Sequence, residues 1–293
     1  MTPLVSGRAG APVVVLAGSL GARPSMWDAV LPVLERHLRV VRYETRGHGA
    51  GPVPPGPYTV DDLAGDLLGV LDTVGARRAH LVGLSLGGLT ALRVAQQAPD
   101  RVERLVVLCS SARFAPAQQW LDRAATVRDG GAAAVAEAVV GRWFTPEYLA
   151  ARPAERRSWE SMVASVPAEG YAACCEALAD ADLRAGLADV GAPTLAVAGA
   201  DDPATPPAAL AAIAAGVRDG RLLVVPAAAH LACAQRPDVV GPAIVDHLLG
   251  SVGSVGSVGS VGSVGSVGSV GSAGSTGPAG AADPVPASGE GQA

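Results

Sequence analysis

The sequence predicts an α/β protein, in which a mostly parallel, doubly wound sheet carries helices on both faces and a helical cap at one end. Three observations predict it. Short apolar runs alternate with segments of helical apolar period from Val13 to Leu249, the pattern of parallel strands buried on both faces. The alternation stops between about residues 113 and 186, where only helical patterns occur. From Gly250 a Gly-rich repeat replaces both.

In chain order, VVVLAG (13–18) reads as a short buried strand, and MWDAVLPVLERHL (26–38) as a helix with its apolar residues at helical spacing. LRVVRYE returns to strand. YTVDDLAGDLLGVLDTVG (58–75) forms an amphipathic helix whose first turn carries Asp61 and Asp62, acids that the helix dipole favours at that end. HLVGL is the next strand, residues 86–97 are a helix, and VERLVVLCS (102–110) is again a strand. After the helical stretch come strands TLAVAGA (194–200) and RLLVVPA (221–227), then the helix PDVVGPAIVDHLL. Ligands of open α/β sheets bind at the carboxyl ends of the strands, so a cap there encloses a site and excludes water.

Beyond the expected 1–249 domain, seven SVG triplets run from residue 251 to 271, followed by a Pro/Gly/Ala/Ser tail to residue 293. Glycine at every third place without proline does not make a collagen helix. The segment cannot bury enough apolar surface to offset its ordering entropy, so 250–293 is expected to be a flexible, disordered linker or tail.

The chain of 293 residues is 49% apolar, enough for a sizeable core, and its formal charge of -5 with no basic face gives no reason to expect nucleic acid. All 22 cationic residues are Arg, with no Lys and no Asn, a codon-usage signature of a GC-rich genome. MTPLVSGRAGAPVVVLAG shows no charged segment followed by an uninterrupted apolar core and cleavage site, so no secretory signal or membrane contact is expected. Cys109, Cys174, Cys175 and Cys233 lack the spacing of a disulfide framework or a metal site. Reduced thiols in a cytoplasmic enzyme without a metal are the expectation.

The chemistry starts at AHLVGLSLGGLTAL (79–92). Ser85 lies in G-x-S-x-G directly after a strand and before a helix, the context in which a serine is held out on a sharp turn as a nucleophile. A serine hydroxyl needs a base, and the base needs an orienting acid. In α/β-hydrolases these follow in the order Ser, Asp or Glu, His. Of the five histidines (His37, His48, His80, His230, His247), order leaves two. His247 sits inside the last helix, in a surface or packing position, whereas His230 follows RLLVVPA in a loop at the sheet's carboxyl edge and is the candidate base. TLAVAGADDP offers Asp201 and Asp202 as the acid, and spacing separates them poorly. Two backbone N–H groups must stabilise a tetrahedral oxyanion. Leu86, just after the serine, and Leu20, in the loop AGSLGARPSMW after the first predicted strand, are the candidates.

Taken together, SLGARPSMWD, VVRYETRGHG, GPYTVDDLAGDLLGVLDTVG, LVGLSLGGLTAL, RWFTPEYL, GYAACCEALADADLR and GADDPATPP resemble the 3-oxoadipate enol-lactonases of bacterial aromatic degradation, over about residues 13–249. The first and fourth motifs are shared by many α/β-hydrolases; RWFTPEYL and GYAACCEALADADLR, both in the cap stretch, are more specific. The resemblance implies an α/β-hydrolase fold and cofactor-free hydrolysis of an enol-lactone. It makes Ser85 the nucleophile, His230 the base and Asp202, rather than Asp201, the acid. One departure is Glu44, where the family usually has Asp in YDTRGHG; it is expected to be structural, near Arg46. The substrate carries a free carboxylate, which in an apolar pocket needs a cationic partner. Arg113 and then Arg142 are the candidates, with Trp143 lining the pocket. In some actinobacterial relatives a similar domain is fused to a 4-carboxymuconolactone decarboxylase, so the tail is expected to be a linker to a fused or lost decarboxylase domain.

Overall fold

A computed structural model describes residues 2–49 and 53–250. The linker reading of 250–293 falls, beyond Gly250 itself, outside the described residues.

The described strands are β1 (Leu4–Gly7), β2 (Val13–Ala17), β3 (Arg39–Arg42), β4 (Ala79–Leu84), β5 (Val102–Leu108), β6 (Thr194–Gly199) and β7 (Gly220–Val225), in the sheet order β1-β3-β2-β4-β5-β6-β7. β1 runs antiparallel to β3, and the other pairings are parallel. One row of the register crosses the sheet centre as Leu16, Val82, Val106 and Leu195. Every residue of β4 and β6 is buried, which is why these strands read as continuous apolar runs rather than alternating ones.

The helices are α1 (Leu31–Leu34), α2 (Val60–Thr73), α3 (Leu86–Gln97), α4 (Ala117–Gly130), α5 (Ala133–Trp143), α6 (Pro146–Ala151), α7 (Pro153–Ala164), α8 (Ala168–Asp180), α9 (Pro207–Gly216), α10 (Ala232–Gln235) and α11 (Pro237–Leu249). α2 starts on a capping box: Thr59 accepts from the Asp62 amide at 3.1 Å, and Asp62 returns the bond to the Thr59 amide at 2.9 Å. α11 opens with Pro237 and ends at Gly250, whose φ of 69° is the left-handed cap that glycine supplies cheaply.

α4 to α8 form an all-helical insertion between β5 and β6, and its neck is stapled. The Leu183 amide donates to the Ala112 carbonyl at 2.8 Å, and Arg113 bridges Asp182 in antiparallel fashion. None of the described helices is long and apolar enough to cross a membrane.

Three elements differ from the sequence reading. The helix expected over 26–38 is a short 3-10 turn at Pro24–Trp27 followed by α1. Pro32, at the start of α1, lacks the N–H that a helix running through it would need. β1 is short and mostly exposed, so it has no buried run to reveal it. α9 is mostly alanine with no polar face, so no period marks it.

Candidate active site

Ser85 occupies the turn between β4 and α3 with φ 57° and ψ -115°. Such a conformation costs a non-glycine residue on the order of 1–3 kcal/mol, so its surroundings must hold it. Its amide donates to the Leu108 carbonyl at 3.0 Å, and its carbonyl accepts from the Ser110 hydroxyl at 2.7 Å and the Leu89 amide at 3.0 Å. The turn tolerates only glycine at its flanks: a Cβ on Gly83 would strike the Gly87 carbonyl, and one on Gly87 would strike the Ala17 carbonyl. The Ser85 side chain lines a cavity of about 360 Å³ that it shares with Leu20, Arg142, Trp143 and His230. That volume suits a small metabolite.

Asp202 and His230 come from the loops after β6 and β7, both buried. Asp202 Oδ2 lies 2.8 Å from His230 Nδ1 and accepts from the Thr205 hydroxyl at 2.6 Å, while Oδ1 accepts from the amides of Ala204 at 2.8 Å and Thr205 at 3.1 Å. Burial pushes the Asp202 carboxyl up, but the facing His230 and the Thr205 bonds outweigh it and hold the group below its ordinary value. An ionised carboxylate only accepts, so His230 Nδ1 carries a proton, an arrangement that in the neutral ring leaves the lone pair on Nε2. Asp201, the other candidate, is exposed and uses its amide on the Ala228 carbonyl. Geometry therefore separates the two aspartates where spacing did not.

The His230 loop is tied to the end of α5. The Leu231 amide donates to the Trp143 carbonyl at 2.8 Å, and Gln235 accepts from the Ala229 amide at 3.1 Å while donating to the Thr145 hydroxyl at 2.9 Å. Ser85 and His230 face the same cavity without a direct hydrogen bond between their side chains.

Of the expected oxyanion donors, Leu86 supplies the first amide of α3, which no helix carbonyl takes up. Leu20 lines the cavity in the turn after β2, and its amide donates to no acceptor among the described residues.

The cap supplies cations. Arg123 of α4 and Arg142 of α5 both line the cavity, and neither pairs with a carboxylate among the described residues. Arg123 lies over the Trp120 ring at 4.5 Å. Burial first, and the Arg123 charge second, pull the Arg142 guanidinium below its ordinary pKa. Trp120 and Tyr171 also line the cavity; the Trp120 Nε1 has no partner and the fully buried Tyr171 hydroxyl has no acceptor. Trp143 is in the lining as expected from its place in RWF, and it stacks edge-on against Trp159 at 6.0 Å.

Arg113 requires a correction. Its side chain is 48% exposed, reaches Asp182 at 3.7 Å and lines a neighbouring surface pocket instead of the one that holds Ser85. The antiparallel bridge at the neck turns it outward. Arg46 is also not paired with Glu44: it grips Asp66 of α2 through two 2.7 Å bonds. Sequence reasoning missed Arg123, Tyr171, Thr205 and Gln235. Only Thr205 left a trace, three residues after Asp202, the spacing of a carboxylate that caps the following turn.

Residues 11–237 match the alpha/beta hydrolase fold family. The chain is similar to 3-oxoadipate enol-lactonase 2 of Acinetobacter baylyi, 39% identical over 199 residues, 68% of this chain and 74% of the relative. It is also similar to a protein of Pantoea ananatis named for a carbamate hydrolase, RutD, at 32% identity over 82% of this chain and 89% of the relative. Among solved structures, the enol-lactonase from Burkholderia xenovorans LB400 superposes with a TM-score of 0.83 at 37% identity, covering 85% of this chain and 96% of that one. The chain belongs to the alpha/beta-hydrolase fold family and is a hydrolase of it, with 3-oxoadipate enol-lactonases among its relatives.

Proposed function

We propose that the protein hydrolyses 3-oxoadipate enol-lactone to 3-oxoadipate through an acyl-enzyme on Ser85. The observation that carries the reading is the cavity itself: Ser85 and His230 share it with two guanidiniums, Arg123 and Arg142, that have no carboxylate partner among the described residues. An uncompensated cationic pair beside buried donors of Trp120 and Tyr171 suits an acyl substrate that brings its own carboxylate. Similarity to the A. baylyi enol-lactonase supports the same substrate.

Ser85 Oγ attacks the lactone carbonyl as His230 Nε2 takes its proton, and Asp202 stabilises the resulting imidazolium. The amides of Leu20 and Leu86 hold the oxyanion, a contribution of about 10²–10³ in kcat for each such donor. Collapse breaks the ring C–O bond, and His230 returns the proton to the leaving enol oxygen. The enol stays tethered in the same acyl chain, and its ketonisation draws the opening forward. Water deprotonated by His230 then attacks the acyl carbon, releasing 3-oxoadipate and restoring Ser85. The work is bacterial aromatic degradation in the cytoplasm, a setting that suits four buried free cysteines. Residues beyond Gly250 serve in this reading as a linker.

The test is an ultraviolet assay on freshly generated enol-lactone, with muconolactone, a simple aryl ester and a carbamate as controls. The expected result is a kcat/KM for enol-lactone about 100-fold or more above every control, the discrimination that buried polar contacts provide. Equal or better turnover of a control would overturn the substrate assignment.

A further inference from the structure

We propose that His48 is a positioning residue for this reaction: it pins the turn over residues 18–22 so that the Leu20 amide stays directed at the oxyanion position beside Ser85. The proposal rests on the reading of Ser85 and Leu20 given above. His48 is 1% exposed, with Nε2 accepting from the Gly21 amide at 2.9 Å and Nδ1 lying 3.2 Å from the Arg46 carbonyl. An amide only donates and a carbonyl only accepts, so these partners select a single tautomer, with the proton on Nδ1 and the lone pair on Nε2. Burial favours the neutral ring and so preserves that acceptor.

The amides of the turn show what the anchor achieves. Ser19 donates to Met26 Sδ at 3.3 Å, Gly21 to His48 and Ala22 to the Ser19 carbonyl at 3.1 Å. Leu20 alone of these four has no acceptor among the described residues, and Leu20 lines the cavity with Ser85. At the other end of the turn, the Gly18 carbonyl accepts from the Gly87 amide at 3.0 Å, one residue beyond Leu86. The turn is thus tied to α3, which carries one proposed oxyanion donor, and to His48, which steadies the other. Without His48 the Gly21 N–H is buried without a partner, and rotating that peptide to satisfy it turns Leu20 as well.

His48 is itself held from two sides. Arg46, whose carbonyl takes the Nδ1 proton, is clamped to Asp66. Gly47 packs against Gly170 of α8 so closely that a Cβ on either would strike the backbone of the other. The next residue, Tyr171, lines the cavity. His48 therefore stands where the cap, the RGHG turn and the Leu20 turn meet.

The experiment compares wild type with His48→Ala, His48→Phe and His48→Gln, the last able to accept from the Gly21 amide through Oε1. Three measurements are made: steady-state kinetics on enol-lactone and an aryl ester, the affinity of a boronic acid that forms a tetrahedral adduct on Ser85, and amide exchange of the peptide over residues 18–22. His48→Ala is expected to lower kcat about 10-fold or more with KM within about twofold, since loss of one oxyanion donor costs up to about 10²–10³. Boronate affinity should fall by a similar factor, and exchange should accelerate in 18–22 without change in β4 or α3. His48→Gln should recover most of the rate. If the Ala variant does not fold, Phe against Gln decides: Phe fills the space without an acceptor and should lose kcat where Gln keeps it. Equal rates for Phe and Gln, unchanged exchange, or a loss carried by KM alone would each overturn the proposal. A wild-type protein that turns over no ester, yet shows the His48-dependent exchange, would instead overturn the reading of Ser85 and the catalytic role drawn from it.

Discussion

The loops at the carboxyl edge of the sheet and the helices of α4 to α8 face each other across one cavity, and they hold their side chains by different means. On the sheet side, each proposed reactive group is held by hydrogen bonds to its neighbours. Ser85 is pinned by Leu108 and Ser110, Asp202 by the amides of Ala204 and Thr205, and His230 by Asp202 and a loop tied to Trp143. On the cap side, Arg123 rests on the Trp120 ring, and Arg142 is half-buried with no carboxylate partner among the described residues. Rigidity and readiness to bind are thus assigned to opposite walls. Bond making requires fixed positions, whereas binding a carboxylate requires a charge that waits for its partner.

Four substitutions test that contrast. The largest effect is expected from Ser85→Ala, which should lower kcat by about 10⁴-fold or more while leaving the thermal unfolding midpoint within a few degrees. Retained turnover in a steady-state assay would refute the nucleophile assignment. Asp202→Asn comes next: it keeps the shape but presents a donor to His230, and a loss of about 10³–10⁴ in kcat is expected at neutral pH. On the cap side, Arg142→Ala should raise KM about 10- to 100-fold for the carboxylated lactone and leave a neutral aryl ester unaffected, the value of one charge-assisted contact. An equal effect on both substrates would show that Arg142 shapes the cavity without reading charge. Arg113→Ala should change kcat/KM by no more than about twofold, because its ion pair is exposed and outside the cavity.

Acid separates the two regions as well, since no histidine lies between residues 113 and 186. Burial lowers the pKa of His48 to about 4, against a small opposing pull from the Arg46 carbonyl. The folded protein then refuses a proton that the unfolded chain accepts below about 6.5, so the unfolded state binds more protons and stability falls as pH drops from about 6.5 to about 4. The full effect of His48 is about 3 kcal/mol at the acid end of that window. His48→Gln should flatten the dependence of the urea midpoint on pH between 4.5 and 7, and an unchanged slope would contradict the buried neutral ring.

How much of this was legible depended on whether a feature is local. G-x-S-x-G after a strand located Ser85, because a strand-to-helix turn with close backbone approach demands small neighbours within two residues. The buried strands showed themselves as apolar runs, while β1, exposed and short, did not. Pro32 carried the warning that the helix over 26–38 would break, and the apolar period masked it. Arg123 and Tyr171 lie 38 and 86 residues from Ser85 in the chain, and nothing at those distances marks two side chains as neighbours. Arg113 shows the converse: its place just past a strand end suggested the cavity, and the Asp182 bridge at the neck turned it away.

The α/β architecture, the serine and histidine candidates and a pair of aspartates were readable in the sequence, and the resemblance to the enol-lactonases chose Asp202 from that pair. The architecture and the candidates follow from periodicity, from turn chemistry and from chain order, all of which act over a few residues or a fixed succession of elements. The folded contacts add that Asp202 Oδ2 lies 2.8 Å from His230 Nδ1, that Arg123 joins Arg142 in the cavity, and that His48 reaches back to the Leu20 turn. Each of these is a contact between segments brought together only when the sheet assembles and the helical insertion packs on it. Their hydrogen bonds and charges act across a few ångströms of space, whatever the distance along the chain.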